Sequence, residues 1–372
     1  MKLKLKNTPE QIELIKALGS KNPTVAREAA EAFAAFLGPV IQKVLLTAGT
    51  SSSIYQDAEF DEDDSPSYPL DLYYNEPDGY VSVWSQSMAG GLPTSQVEGM
   101  KEMKISTYRL DSAVSFNKSY ARKARLDVVS KAVERMANEI LIKQERNAWA
   151  VVLKALAEAS TTPKGGSALK HAIASASANV FGLDELNKLM TRIKRINESY
   201  SGNTPAAAYS TGITDLYISP EIKEQIRGFA YQAIARTGAT DQSVPQNVRE
   251  DIYKAAGSQE IFGVNLVELI ELGAGKKYNT LFGSLVSAST IPGTSSGYWN
   301  TSNDEILVGI DNSRGAFIRP VARQSESGGT FTALPDEQFN AYGSRVEKTG
   351  FYGFLEEGRI CIDSRAVVGI VV

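Results

Sequence analysis

The strongest constraint on the fold is a long stretch of chain without a helix breaker. Neither glycine nor proline occurs between Met100 and Thr162. Within it, apolar residues recur at alternating steps of three and four, the spacing of one helix face. They are Leu126, Val129, Val133, Met136, Ile140, Trp149, Val152 and Leu156. The spacing predicts one amphipathic helix of about 35–40 residues, roughly 50–60 Å long. Since a globular helix averages about 11–12 residues, an elongated subunit is indicated.

The chain before this helix divides into a helical start and an extended arm. The predicted helices run from Thr8 to Leu18, from about Pro23 to Leu37 and from Val40 to Ala48. The second should stop at Gly38-Pro39, because proline lacks the backbone donor that a helix interior needs. The segment from Thr50 to Asn75 has no helical period and too little apolar density to fold alone. Its predicted anchors on another surface are Tyr55, Phe60, Tyr68, Tyr73 and Tyr74.

Residues 76–118 have the pattern of a long β-hairpin. Tyr80–Trp84 alternates apolar and polar residues, and the return strand is predicted at Ile105–Lys118. The residues predicted to share one face of this strand are Tyr108, Leu110, Val114 and Phe116. Gly90-Gly91 and Pro93 mark a tip between the strands. A hairpin with so little apolar mass is not stable alone, so it is predicted to pack on a neighbouring molecule.

Downstream of the long helix the pattern is mixed α/β and then rich in strands. Helices are predicted at about Leu183–Tyr200 and from Pro220 to about Ala235. Strands are predicted at Asp215–Ile218, Ile261–Leu272, Ile306–Ile310, Ala316–Gln324, Ser344–Phe354 and Ala366–Val372, with turns at Gly273–Lys277 and Glu356–Gly358. The predicted fold class is therefore α+β.

The composition excludes several kinds of site. The chain has one histidine, His171, and one cysteine, Cys361, so it cannot form an internal disulfide or a zinc site built from several Cys or His ligands. The net charge of −4 argues against dedicated DNA wrapping, which needs a basic domain. We expect no signal peptide and no membrane span, because the longest apolar runs, such as Val367–Val372, are short.

The remaining chemical motifs are weak. Gly293–Gly297 matches the G-x-S-x-G pattern around Ser295, but a polar loop surrounds it and His171 precedes it, so a surface loop is predicted. His171 is predicted to be solvated or to cap a helix. Cys361 is predicted to be a small buried residue or a harmless surface thiol. The acidic run Asp57–Asp64 lacks the calcium-loop pattern, which favours a solvated face or a partner for basic residues on a neighbour. No catalytic, cofactor or metal residue is therefore predicted.

The order of the segments resembles the major capsid proteins of tailed bacteriophages, which have the Hong Kong 97 fold. Three local phrases add to the resemblance: Leu216–Lys223, Arg345–Phe351 and Asp363–Gly369. The resemblance implies the following division of the chain: an N-arm at 1–75, an extended loop (E-loop) at 76–118, the spine helix and following helix of a P-domain at 119–204, an A-domain at 205–310, and a β-rich return at 311–372.

The resemblance also implies a structural role and no enzymatic one. The subunit would assemble as hexamers and pentamers into an icosahedral shell around phage double-stranded DNA, without sequence-specific contacts, membrane or cofactor. Implied partners are further copies, a portal protein at one vertex, and scaffolding and decoration or cement proteins. The implied location is the virion, after assembly in the host bacterial cytoplasm. The expected inter-subunit contacts are Tyr55, Phe60, Tyr68, Tyr73, Trp84, Met88, Met100, Met103, Arg122, Lys123, Arg125, Glu356 and Glu357.

Two alternatives stay open at the level of sequence. One is an encapsulin-type nanocompartment shell of the same fold, against which the extended segment Thr50–Asn75 argues. The other is a serine hydrolase that uses Ser295. Within the capsid interpretation, the basic residues Arg122, Lys123 and Arg125 are expected to pair with acids such as Glu356 and Glu357 on neighbours.

Overall fold

The structure, a computed structural model, describes most of the chain. The described residues are 8–47, 49–61, 64–69, 102–161, 170–200, 212–228, 260–286, 291–294, 298–324, 330–336 and 347–372. The helices within them are α1 (Pro9–Leu18), α2 (Pro23–Thr47), α3 (Lys118–Arg122), α4 (Leu126–Thr161), α5 (Leu183–Tyr200), α6 (Pro220–Gly228) and α7 (Lys277–Leu285). None of these helices combines the length and the hydropathy that a membrane span requires.

The strands of the described residues form two six-stranded sheets and one two-stranded sheet. They are β1 (Gln56–Asp61), β2 (Ser67–Pro69), β3 (Glu102–Lys104), β4 (Tyr108–Asn117), β5 (Ala172–Ala174), β6 (Asp215–Ile218), β7 (Glu260–Ile261), β8 (Val264–Glu268), β9 (Ile306–Ile310), β10 (Phe317–Arg323), β11 (Thr332–Pro335), β12 (Lys348–Glu357), β13 (Ile360–Cys361) and β14 (Val367–Val371). Together the elements confirm an α+β chain.

The chain forms two compact units, each drawn from three separate stretches. The first takes its residues from Met1–Ser67, Lys104–Ala148 and Ile318–Ile360. The second takes its residues from Tyr68–Met103, Trp149–Phe317 and Cys361–Val372. Because each unit needs distant parts of the sequence, neither is a continuous domain.

The sheet of the first unit is built around the ten-residue strand β12. The strand order is β1-β10-β12-β11, while β4 also pairs with β12 and β13 with β10. β4 and β12 are antiparallel over their whole length, from Asn117 opposite Lys348 to Tyr108 opposite Glu357. β1 runs parallel to β10. Apolar side chains of β4 and β12 pack with those of α1, α2 and the first part of α4 in one core, where Phe33 and Phe116 both contact Phe351.

The second unit has a mixed sheet in the order β5-β14-β9-β6-β8-β7. Its central strands β6, β9 and β14 are buried along their full lengths, which suits their continuous apolar runs. The strongly amphipathic helix α5 lays its apolar side on this core. Trp149 on α4 is fully buried, with ring centroids 4.9 Å from Tyr217 and 5.5 Å from Tyr278.

Several sequence-based predictions are confirmed at or near their predicted bounds. The long helix is α4, with 36 residues. The helix Leu183–Tyr200 and the strands Asp215–Ile218 and Ile306–Ile310 also lie where the pattern placed them. In β4, the even-numbered residues from Tyr108 to Phe116 are the more buried ones, as the alternation predicted.

The predicted helix stop at Gly38-Pro39 is wrong. α2 continues through Pro39 to Thr47, so the two helices predicted at Pro23–Leu37 and Val40–Ala48 are one. An interior proline costs about 3 kcal/mol. The apolar stripe of α2 nevertheless continues on both sides of it, with Phe33, Leu37 and Ile41 at intervals of four, all buried. Packing of this stripe against the core therefore outweighs the local cost.

The predictions for the arm and the hairpin need correction where the structure describes them. Part of the arm folds on its own chain, because β1 is a strand of the first sheet and Glu145 on α4 accepts hydrogen bonds from the hydroxyls of Thr50 and Ser51 at 2.9 and 2.7 Å. The return strand β4 pairs with β12 rather than projecting. The outgoing strand Tyr80–Trp84 and the predicted tip lie outside the described residues.

Two predicted turns and one predicted strand also differ. Glu356 and Glu357 are strand residues at the end of β12 and not part of a turn. The strand predicted at Ile261–Leu272 is interrupted by a tight turn at Phe262-Gly263, where both residues have positive φ. The turn predicted at Gly273–Lys277 leads into α7, which the sequence pattern did not indicate. Local composition was a poor guide at Glu356-Glu357, because pairing with the distant strand β4 keeps these residues in β12.

Pro39 provides a test of the continuous helix. Its side chain is exposed, so replacing it leaves the core packing unchanged. Pro39→Ala should raise the free energy of unfolding by about 1–3 kcal/mol, since alanine supplies the backbone donor that an interior proline lacks. Circular dichroism of the unassembled chain in guanidinium measures it.

The matched control is Pro23→Ala at the first residue of α2, where proline costs little because the first backbone donors of a helix have no partner within it. This variant should change the free energy of unfolding by less than about 1 kcal/mol. A helix broken at Gly38-Pro39 would instead make the effect of Pro39→Ala as small as that of Pro23→Ala.

Candidate functional site

A fully buried carboxylate, that of Glu357 at the end of β12, lies in the polar interior of the first unit. Its Oε1 accepts a hydrogen bond from the Tyr108 hydroxyl at 2.9 Å, and its Oε2 accepts one from the Gln144 amide at 3.0 Å. The Arg359 guanidinium donates to both oxygens, at 3.3 and 3.5 Å. Donors from β4, α4 and the chain after β12 therefore converge on one side chain.

A second guanidinium, that of Arg319 on β10, extends this arrangement to the edge of the sheet. Its Nε lies 3.5 Å from Glu357 Oε2 and 3.2 Å from Oδ1 of Asp57 on β1. The side chain of Arg319 is 5% exposed and that of Arg359 is 1% exposed, whereas Asp57 is partly open to solvent. We call Asp57, Arg319, Glu357 and Arg359 the charge cluster. Its two cations balance its two carboxylates, as buried charges require.

Tyr55, a residue of the arm, packs against the Arg359 side of the charge cluster. The guanidinium carbon of Arg359 lies 4.8 Å from the centroid of the Tyr55 ring, within cation–π range. The Tyr55 hydroxyl donates to the Ala148 carbonyl oxygen at 2.8 Å. The residue just before β1 is therefore held both by the charge cluster and by α4.

Burial fixes the protonation states around Glu357. Burial raises the pKa of Tyr108 to about 12, and the negative charge of Glu357 acts in the same direction. Burial alone would lower the pKa of Arg359, but Glu357, Tyr55 and Tyr108 together outweigh it, so that pKa lies above its ordinary value. Both groups keep their protons at neutral pH, so both remain hydrogen-bond donors to Glu357.

The predicted basic contact residues lie at the surface around the end of α3. Arg122, Lys123 and Arg125 are all exposed. Arg122 also serves its own chain, since its Nε donates to the Gly19 carbonyl oxygen at 2.8 Å and its Nη1 lies 3.5 Å from a Glu347 carboxylate oxygen. Lys123 and Arg125 therefore offer the cations of this turn that could reach a neighbour.

The other predicted contact residues are distributed differently. Phe60, Tyr68, Met103 and Glu356 are half-buried, and the Thr107 hydroxyl donates to Glu356 Oε1 at 2.5 Å. Tyr55 and Glu357 lie in the interior, where they contact their own chain and do not form part of the surface. The remaining predicted contacts lie outside the described residues: Tyr73, Trp84, Met88 and Met100.

The structure also shows the surroundings of the residues that were considered for catalysis. His171 is fully buried rather than solvated, and its Nδ1 lies 2.8 Å from the Val367 carbonyl oxygen. Burial lowers the pKa of His171 and raises the pKa of the Cys361 thiol, so neither is charged at neutral pH. Ser295 lies outside the described residues. Among the residues that the structure describes, no group of three or more Asp, Glu, His or Cys side chains could hold a metal ion.

Sequence reasoning missed the charge cluster itself. One signal for it was present: Arg319 interrupts the otherwise apolar run Ala316–Ala322, and a charge inside a buried strand requires a partner. The partner could not be identified from the pattern, because Glu357 and Gln144 are brought to Arg319 by strand pairing and helix packing.

The structure is similar over most of its length to solved capsid structures. It matches the capsid structure of Cyanophage P-SCSP1u with a TM-score of 0.54 and 13% identity, covering 87% of this chain and 88% of that chain. It matches the capsid of a native GTA particle with a TM-score of 0.50 and 11% identity, covering 87% and 91%. No family model and no curated protein matches the sequence. The resemblance to the Hong Kong 97 type of fold is therefore confirmed at the level of fold.

Loss of the Glu357 charge tests the role of the charge cluster. Glu357→Gln should cost about 3–5 kcal/mol of unfolding free energy, since it leaves the buried Arg319 and Arg359 guanidiniums without their shared counter-charge. Denaturant unfolding of the subunit measures it.

The matched control is Glu356→Gln, the neighbouring half-buried residue, which should cost less than about 1 kcal/mol. Equal effects of the two substitutions would contradict the role given to Glu357.

A second buried acid, Glu305 in the second unit, makes stability depend on pH. It is 7% exposed. Burial raises the pKa of Glu305 to about 7, the Glu221 charge adds to this, and hydrogen bonds from Ser219 oppose it without cancelling it. Because the folded pKa exceeds the unfolded value of 4.5, stability should fall as pH rises from about 4.5 to about 7 and then stay level.

Glu305→Gln removes this ionisation. The stability of the variant relative to the original chain should improve by about 3 kcal/mol between pH 4 and pH 8. Guanidinium unfolding at both pH values measures the difference. An effect of the substitution that is the same at pH 4 and pH 8 would rule out the shifted ionisation.

Proposed function

We propose that this chain is the shell-forming subunit of a tailed-phage-type capsid. Copies would assemble as hexamers and pentamers into an icosahedral shell that encloses double-stranded DNA, with a portal at one vertex and with scaffolding and cement proteins as further partners. Its place of action would be the virion, after assembly in a bacterial host. The division into N-arm, E-loop, P-domain and A-domain is part of this proposal.

The observation that carries the proposal is the likeness of the fold to the Cyanophage P-SCSP1u capsid structure, which extends over 87% of this chain and 88% of that one. The non-catalytic role is supported by the full burial of His171, which keeps its ring away from solvent, and by the raised pKa of Cys361, which keeps the thiol protonated and a poor nucleophile.

The segment around residues 70–101 is the proposed means of joining neighbours. Its two ends are held together, because β2, which ends at Pro69, pairs with β3, which begins at Glu102. β4 then fixes the chain after β3 by pairing with β12 over ten residues. A segment with both ends fixed in this way can be shortened without removing either unit's core. Many weak contacts of this kind reinforce one another in a closed lattice.

Assembly can be tested with the unmodified chain and one deletion. Sedimentation and negative-stain electron microscopy should show closed particles for the unmodified chain. A variant lacking Ser87–Gly99 should stay folded by circular dichroism but fail to form stable shells, since it loses the proposed E-loop contacts.

A matched control removes the exposed charge of Lys154 on α4 (Lys154→Ala), which should leave assembly unchanged. Normal particles from the deletion variant would refute the E-loop assignment. Monomers of the unmodified chain under all conditions would refute the proposed function, whereas particles filled with protein cargo and free of DNA would favour the encapsulin alternative.

A further inference from the structure

Among the described strands, β1 has a partner along one of its two edges. β1 is the last strand of its sheet in the part of the chain that the structure describes: β10 pairs with one edge, and no described strand pairs with the other. An edge of this kind presents backbone N–H and C=O groups to which a further strand can bind.

This edge has two chemically different faces. Asp57, Glu59 and Asp61 point to one face because side chains two apart in a strand share a face, and all three are exposed. Ala58 and Phe60 point to the other face and are half-buried. A partner strand should therefore carry cations at every second position and apolar side chains between them.

The N-terminal sequence Lys2-Leu3-Lys4-Leu5-Lys6 has this pattern with the opposite charge. We infer that Lys2–Lys6 of one copy adds as a strand to the outer edge of β1 in a neighbouring copy, with its lysines beside the three acids and its leucines beside Ala58 and Phe60. Three cations meet three carboxylates on one face, and apolar side chains meet on the other. Opposite charges on adjacent strands stabilise such pairing.

The geometry favours a neighbouring copy over the same chain. Glu59 aligns with Val321, and Val321 with Glu357, so Glu59 lies level with the end of β12. The end of α1 lies at the opposite end of β12, because Arg122 bridges Gly19 and Glu347. At about 3.3 Å per residue of β12, the end of α1 and Glu59 are therefore about 33 Å apart along the strand direction.

If Lys4 bound Glu59 of its own chain, the residues between Lys4 and the start of α1 would have to be fully extended. α1 covers about 15 Å, and the five residues from Lys4 to Pro9 cover at most about 17 Å when fully extended. No chain length then remains for crossing β10 and β1 perpendicular to the strands, a distance of about 5 Å per strand. The inference thus rests on the proposed self-assembly, because only an assembled subunit has a neighbour.

A disulfide cross-link tests the contact. Lys4 and Glu59 are the central residues of the two charged triads, so they face each other whether the added strand is parallel or antiparallel. Subunits with Lys4→Cys are mixed with subunits with Glu59→Cys, both in a Cys361→Ala background, then assembled and oxidised. Non-reducing electrophoresis should show a covalent dimer, since neighbouring strands bring Cβ atoms within disulfide reach.

The matched control pairs Lys4→Cys with Ser52→Cys, an exposed residue just before β1, and should give no dimer above background. Assembled particles without the Lys4–Glu59 dimer overturn this inference and leave the proposed function standing. A cross-link that forms only inside a single chain carrying both cysteines also overturns it. A failure of the unmodified chain to assemble counts against the proposed function instead.

Charge exchange tests the same contact without cysteines. Replacing Lys4 by glutamate, or Glu59 by lysine, should each raise the concentration needed for assembly by about threefold. The two substitutions combined should restore it, because residues 4 and 59 then carry opposite charges again. Asp57 is left unchanged because it pairs with Arg319. A combined variant that assembles no better than the single substitutions overturns the inference.

Discussion

The buried carboxylate of Glu357 joins parts of the chain that are far apart in sequence. Tyr108 from β4, Gln144 from α4 and Arg359 after β12 all donate to it, and Arg319 connects it to Asp57 on β1. Replacing a buried ion pair by apolar residues is often neutral for stability, so its main effect is to fix which strands lie together. A shift of any of these strands by one residue would leave a buried charge without its partner.

The charge cluster fixes the position of the chain at the base of each segment that we propose binds neighbouring copies. β1 belongs to the arm and β4 is the return strand of the proposed E-loop, and both are held at the level of Glu357. A subunit that joins neighbours through long extensions must hold the bases of those extensions in one geometry, because a small error at the base grows along the extension. The charge cluster meets this need by linking β1, β10 and β12, and the raised pKa of Arg359 keeps that guanidinium charged at neutral pH.

The sequence was sufficient where local periodicity decides the structure. The spacing of three and four gave α4, and continuous apolar runs gave strands such as Ile306–Ile310. It failed where distant contacts decide. Pro39 did not end α2 because the core packs on both sides of it, and Glu357 read as a turn residue because nothing local indicates that β4 pairs with β12. The buried His171 and the Glu357 partners were missed for the same reason.

The central claim is that copies of this chain close into a shell through rings of two sizes. Cryo-electron microscopy of purified particles tests it most directly, because a reconstruction shows the number of copies in each ring and the fold of each copy. The account predicts icosahedral particles with five-membered rings at the vertices, six-membered rings between them, and the two-unit subunit described here in every position. Particles that lack icosahedral symmetry, or a protein that stays monomeric at every concentration tried, would contradict it.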